Sequence, residues 1–319
     1  MARSDALKWL VANALYLRYL GRMKVLVTGS NGLVGSEVVK SLTAAGHYVV
    51  RLVRGEPDRS RGDVVWDPVS GSIERTRLRD IEAVIHLAGE NILGLWSTSK
   101  KERIHKSRVT ATEYLSEALA GLSPRPSIFI SASAAGFYGN RGDTRLTESA
   151  APGQGFLAQL CREWEDATVI ARNAGIRVVN MRIGVVLSTR GGALQKMLPP
   201  FKLGLGGILG NGRQYMSWIS ISDLVDAILF AMETPALTGP VNGTAPMPVT
   251  NKEFTKTLAR ALHRPAIFPV PAFVLNALPG GMGRETFLSS ARIEPDKLLR
   301  AGYKFRHPDL ESALGALLG

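Results

Sequence analysis

The chain has 319 residues, 45% of them apolar and 21% charged, which is ordinary for a soluble globular protein with a large buried core. Its net charge is +12, but the basic residues are scattered and form no long block, so anionic small molecules are expected as partners and nucleic acid is not. The single cysteine, Cys161, excludes an intrachain disulfide and a cysteine metal cluster. The five histidines lie far apart, so no metal site is expected, and the whole suits a reducing cytoplasm.

Residues 1–22 stand apart. Ala6 to Leu20 is mostly apolar but is broken by Lys8, Asn13 and Arg18. No run reaches the roughly 20 apolar residues that span a bilayer, and no small-residue cleavage site follows. The stretch reads as an N-terminal extension before Met23, with a surface helix or a partner-binding helix as alternatives.

Lys24 to Thr28 is an apolar, β-branched run fit for a buried parallel strand. Gly29-Ser30-Asn31-Gly32-Leu33-Val34-Gly35 follows at once. Apolar residues then recur at helical spacing to Ala45, and Gly46 stops the helix. Strand, glycine turn and helix together are the context a dinucleotide site needs. Gly29 permits a sharp turn, Gly32 removes a Cβ that would block a pyrophosphate, and Gly35 lets helix and strand pack closely. The N–H groups of the helix start would face the phosphates. Gly29, Asn31, Gly32, Leu33, Val34 and Gly35 are therefore cofactor-binding candidates. The plainer alternative is a turn that merely needs glycine.

The spacing T-G-x-x-G-x-x-G resembles that of the extended short-chain dehydrogenase/reductases. Tyr48 to Val53 is the second strand. An NAD site would carry an acid just beyond it; Arg51 and Arg54 stand there instead. Arg54, past the strand end, can accommodate a 2′-phosphate. Such a charge-assisted bond contributes about 1.5–3 kcal/mol, so NADP(H) is the expected cofactor. Val64–Asp67 is a short strand before a turn.

Ala83 to Gly89 is the next buried strand and is similar to the family's "D-x-V-I-H-L-A" strand. The resemblance makes Leu87 and Ala88 cofactor candidates, with His86 packed in the sheet. Ser97 to Leu122 reads as one helix, which in the resembled family borders the cofactor and brings Arg108 to it. Ser127 to Ser131 is a strand that runs into Ser131-Ala132-Ser133-Ala134-Ala135-Gly136-Phe137-Tyr138-Gly139. This resembles the family's serine-rich strand end followed by Tyr-Gly. Ser133 is the catalytic candidate by that resemblance, with Ser131 as the alternative. The family's Tyr-x-x-x-Lys should open the next helix, but Gly155 to Glu165 contains neither residue. Tyr138 is then the nearest proton donor in sequence, the alternative being that it only packs.

Ile176 to Leu187 reads as one strand. The resemblance runs Arg182–Val186 past the nicotinamide and makes Val186 a cofactor contact. Pro199 to Gln214 reads as a glycine-rich loop over a pocket. Ser222 or Asp223 is the expected N-cap of a helix Asp223–Met232. AGENI at Ala88–Ile92, GLGG at Gly204–Gly207, SWI at Ser217–Ile219 and a tail with Pro295, Leu298, Gly302, Tyr303, Phe305 and Pro308 resemble one subgroup, the YfcH-like "epimerase family protein" group.

The expected fold is α/β: a doubly wound Rossmann-type parallel sheet over residues 23–186, to which 222–245 return. A smaller C-terminal substrate-side region would combine 187–221 and 246–319. The expected function is that of an NADP(H)-binding oxidoreductase or epimerase acting on an unknown small hydroxyl or carbonyl compound. A catalytically weak nucleotide-binding regulatory or scaffolding protein is the alternative. No integral membrane segment is expected, and a homodimer is left open.

Overall fold

A parallel strand covered on both faces must be apolar at successive positions, not alternate ones. Lys24–Thr28 (β1) meets that condition and lies inside the sheet of the computed structural model, which describes residues 21–319. The other strands of that sheet are Tyr48–Val53 (β2), Val64–Asp67 (β3), Ser72–Ile73 (β4), Ala83–His86 (β5), Ile128–Ala134 (β6), Arg177–Ile183 (β7) and Gly239–Gly243 (β8). The strand order is β8-β7-β6-β5-β1-β2-β3-β4. Every pairing is parallel except that of β3 with the edge strand β4. This is the doubly wound α/β architecture.

The two faces of the sheet fill separately. Val25 and Val27 pack with Val38 and Leu42 of helix Leu33–Ala44 and with Leu224 and Ile228 of helix Ile221–Glu233. Leu26 points the other way, against Ala111, Leu115 and Leu119 of helix Val109–Ala120. Chain order moves outward from β1 through β2 and β3, then returns to the far side of β1 with β5. The reversal opens a crevice between β1 and β5 at their carboxyl ends. A third apolar cluster, with Leu194, Phe201, Trp218, Phe254 and Leu314, lies outside this sheet.

Four local expectations change. The strand expected over 176–187 is broken at Gly184, where a Cβ would stand 2.5 Å from the Ser217 carbonyl. Val185–Leu187 leaves the main sheet there and pairs with Trp218–Ser220. The helix expected over 97–122 is two helices, Thr98–Lys106 and Val109–Ala120. At the break the Ser107 hydroxyl and the Arg108 guanidinium bond the backbone of Glu90 instead. Helix Gly192–Lys202 takes the first part of the expected 199–214 loop. Ser220, not Ser222 or Asp223, caps helix Ile221–Glu233, because its hydroxyl accepts from the Asp223 N–H. The extension expected over 1–22 falls, for residues 1–20, outside the described residues. Among those described, no helix is long and apolar enough to cross a membrane.

Candidate functional site

The glycine turn sits at the reversal point, and its glycines answer different demands. Gly29 has φ +65°, and a Cβ on it would lie 2.7 Å from the Leu87 carbonyl carbon. A Cβ on Gly35 would overlap the Gly29 carbonyl. These two are required by the fold. Gly32 differs: its Cβ would meet only Gly29 O, at 3.1 Å. No side chain caps the helix that Gly32 opens, so its first-turn N–H groups are left for a ligand.

Gly29, Asn31 and Gly32 form one wall of a cleft of about 410 Å³. Leu52, Val53 and Arg54 at the β2 end, Trp66 of β3 and Pro68 just after it, Leu87 to Glu90 after β5, and Ser107 also line it. The two arginines after the glycine turn separate here. Arg51 is committed to Asp63 through two bonds of 2.7 Å. Arg54 is exposed, lines the cleft and makes no ion pair among the described residues. A dinucleotide with an added phosphate fits this arrangement: open N–H groups at one end, an unpaired guanidinium at the other.

The remaining cofactor candidates stand back from that surface. Val34 packs on the core and Gly35 is buried in the helix. Leu33 lies against Gly191 and Gly192. Val186 pairs with Ile219 in the small sheet. Arg108 lies one layer behind the cleft wall, its guanidinium donating to Glu90 O at 2.9 Å and stacking over Trp164 at 5.2 Å. Burial lowers its pKa from the usual arginine range.

Above β6 and β7 the polar groups are turned on one another. Ser133, 2% exposed, donates its proton to Glu165 Oε1 at 2.7 Å. Arg182 grips both oxygens of that carboxylate, at 2.8 and 2.9 Å, and stacks on Phe137 at 3.4 Å. Burial opposes the charge on Arg182, but Glu165 outweighs it and the pKa rises. Arg182 also donates to the Tyr138 hydroxyl at 3.0 Å, and Tyr138 donates to Asn242 Oδ1 at 2.7 Å. Tyr138 is 0% exposed, and burial raises its pKa despite Arg182. Of the two expectations for Tyr138, the packed one matches this geometry: the phenol is enclosed, its proton is engaged with Asn242, and burial makes it harder to ionise. Cys161 offers no substitute, since burial pushes its thiol up to about 12.

Glu165 and Asn242 are not singled out from the sequence, and Arg182 enters there only as part of the run beside the nicotinamide. A charged residue inside the apolar strand Ile176–Leu187 was the available signal, because a buried guanidinium requires a partner.

His86 joins the two regions. Thr28 Oγ1 accepts the N–H groups of Leu87 and Ala88 at 3.1 and 3.2 Å, so its own proton goes to His86 Nδ1 at 2.7 Å. His86 Nε2–H then donates to Thr112, which also accepts from Trp164. The ring is sealed in the sheet, and burial pushes its pKa down to about 3. Among the described residues no group of three or more His, Cys, Asp or Glu could hold a metal ion.

Comparison with known proteins bears on this geometry. Residues 25–242 match the NAD dependent epimerase/dehydratase family, and residues 270–317 match a domain of unknown function, DUF1731. The epimerase family protein MT2273 of Mycobacterium tuberculosis is 46% identical over 292 residues, covering 91% of this chain and 96% of its own. Epimerase family protein YfhF of Bacillus subtilis is 36% identical over 299 residues, covering 93% and 98%. The crystal structure of human epimerase family protein SDR39U1 (isoform 2) with NADPH superposes with a TM-score of 0.85 at 32% identity, covering 93% of this chain and 99% of the human one.

Proposed function

Because the chain belongs to the NAD dependent epimerase/dehydratase family, we propose that it binds NADP(H) at the glycine turn and uses it on a small hydroxyl or carbonyl compound. The observation that carries the reading is Arg54, exposed and unpaired at the cleft while Arg51 is consumed by Asp63. The NADPH in the human relative's crystal structure supports the same cofactor here. When bound, NADP(H) supplies or accepts a hydride. The open N–H groups of Leu33, Val34 and Gly35 would hold the pyrophosphate, and Arg54 would hold the 2′-phosphate. Residues 23–186 with 222–245 serve the cofactor; 187–221 and 246–319 serve the substrate.

Ser133 works in one direction in this reading. Its proton is given to Glu165, and Arg182 fixes that carboxylate. Ser133 therefore offers lone pairs and accepts a hydrogen bond from a substrate hydroxyl. The single cysteine is in keeping with an oxidoreductase of the cytoplasm.

A second reading is a nucleotide-binding protein without turnover. It is favoured by the sealed Tyr138, since a positioned general acid contributes about 10²–10⁴-fold to rate. The deciding experiment follows NADPH absorbance with a panel of small aldehydes, ketones and alcohols for wild type, Ser133→Ala and Tyr138→Phe. Turnover that falls in Ser133→Ala and survives in Tyr138→Phe supports the oxidoreductase. NADPH binding with no turnover across the panel supports the binding protein.

A further inference from the structure

On the C-terminal side of the molecule, the chain carries no charged residue from Pro265 to Gly283. An uncharged segment of that kind belongs in a core, yet much of it faces outward. Ile267, Phe268, Phe273 and Val274 are 69%, 52%, 73% and 45% exposed. Leu203 and Leu205, at 75% and 55%, stand on the neighbouring segment. Leu205 forms a bridge with Ala266, and the Phe268 N–H donates to Gly206 O at 3.2 Å. The pairing thus sets Leu203 and Leu205 beside Ile267 and Phe268, with the exposed Phe273 and Val274 on the short helix Ala272–Asn276 that follows, and clustered exposed apolar surface marks a place of contact.

Its border is cationic. Lys202 precedes Leu203, and Arg264, which precedes Pro265, donates to the Lys202 carbonyl at 3.0 Å. His263, Arg264 and Lys256 line a shallow groove that continues from Pro265 and Ala266. Of the acids nearby, Glu311 is paired with Arg260 at 3.1 Å, and Glu253, which accepts from the Thr250 cap, keeps its charge but is outnumbered by Lys202, Lys256 and Arg264. The excess charge at the border is positive, in a chain of net charge +12. Two copies meeting through this face would bring cationic rims together, which opposes self-association. An apolar face with a basic rim matches an anionic bilayer, whose phosphates meet the cations while the apolar side chains enter the headgroup layer.

We propose that the face built from 203–205 and 267–274 docks on an anionic membrane surface. The test uses the full chain in flotation with vesicles of phosphatidylcholine alone and of phosphatidylcholine mixed equally with phosphatidylglycerol. Wild type should float with the mixed vesicles, sparingly with the neutral ones, and less as salt is raised. The double variant Phe268→Ser/Phe273→Ser and the double variant Lys202→Ser/Arg264→Ser should each weaken the partition about tenfold or more. Both should stay folded, with melting temperatures within a few degrees of wild type, because the changed side chains are exposed and the one bond lost, Arg264 to Lys202 O, lies at the surface. Sedimentation in the absence of lipid is run alongside. No flotation of wild type, or flotation unchanged in both variants, overturns the proposal. So does a wild-type dimer that the phenylalanine variant converts to monomer, since the face would then join two copies.

Discussion

The cleft above β1 and β2 and the network above β6 and β7 occupy the same edge of the sheet, and both are polar. In the cleft the polar groups are left open: uncapped N–H groups at the start of helix Leu33–Ala44 and an exposed Arg54. In the network they close on each other, from Ser133 through Glu165 and Arg182 to Tyr138 and Asn242. Open donors cost little while water serves them and become useful when an anion arrives. Closed pairs cost the fold heavily if broken and offer a ligand little. The contrast separates binding, which the cleft is built for, from proton transfer, for which the network shows no free donor.

The largest effect is expected where the network is broken. Arg182→Met leaves the Glu165 carboxylate buried without its partner and should lower unfolding free energy by about 3–5 kcal/mol. Denaturant unfolding would show it, and a loss below 1 kcal/mol would mean the pair is not buried as described. The next contrast lies within the glycine turn. Gly35→Ala forces a Cβ onto the Gly29 carbonyl and should cost about 1–3 kcal/mol of stability. Gly32→Val should spare the fold and abolish NADPH binding. Equal melting points with equal NADPH affinity for the two variants would erase the distinction between fold-required and ligand-required glycines.

A gradual effect, small per pH unit, concerns His86, between the two regions. Its folded pKa is about 3, against about 6.5 in the unfolded chain. Between those values the unfolded chain binds more protons, so stability is full above pH 6.5 and falls as pH drops. The slope from this group is at most about 1.4 kcal/mol per pH unit. The His86 ring resonances should remain those of a neutral imidazole at pH 5. Half-protonation near pH 6.5 would show that the ring is not sealed.

Much of the scaffold was legible because it rests on local pattern. The run Lys24–Thr28, the glycines after it and the periodic helix declare strand, turn and helix within one window. What escaped depends on distant chain. The strand ends at Gly184, a position that must be glycine because the Ser217 carbonyl lies 2.5 Å from where a Cβ would stand, and nothing in Ile176–Leu187 reveals that neighbour. Arg54 could be placed beyond the strand end, but its freedom could be judged only once Asp63 was seen to take Arg51. Tyr138 follows Ser133 closely in sequence, yet the short helical turn Ala135–Tyr138 carries it into the interior, against Asn242 from β8.

The most direct test of the open-cleft account is the pair of dissociation constants for NADPH and NADH, measured at one salt concentration on wild type and on Arg54→Ala. Wild type should bind NADPH about tenfold or more tightly than NADH, as one charge-assisted bond allows, and Arg54→Ala should narrow the gap by weakening NADPH alone. Equal constants in wild type, or a gap that Arg54→Ala leaves intact, would contradict it.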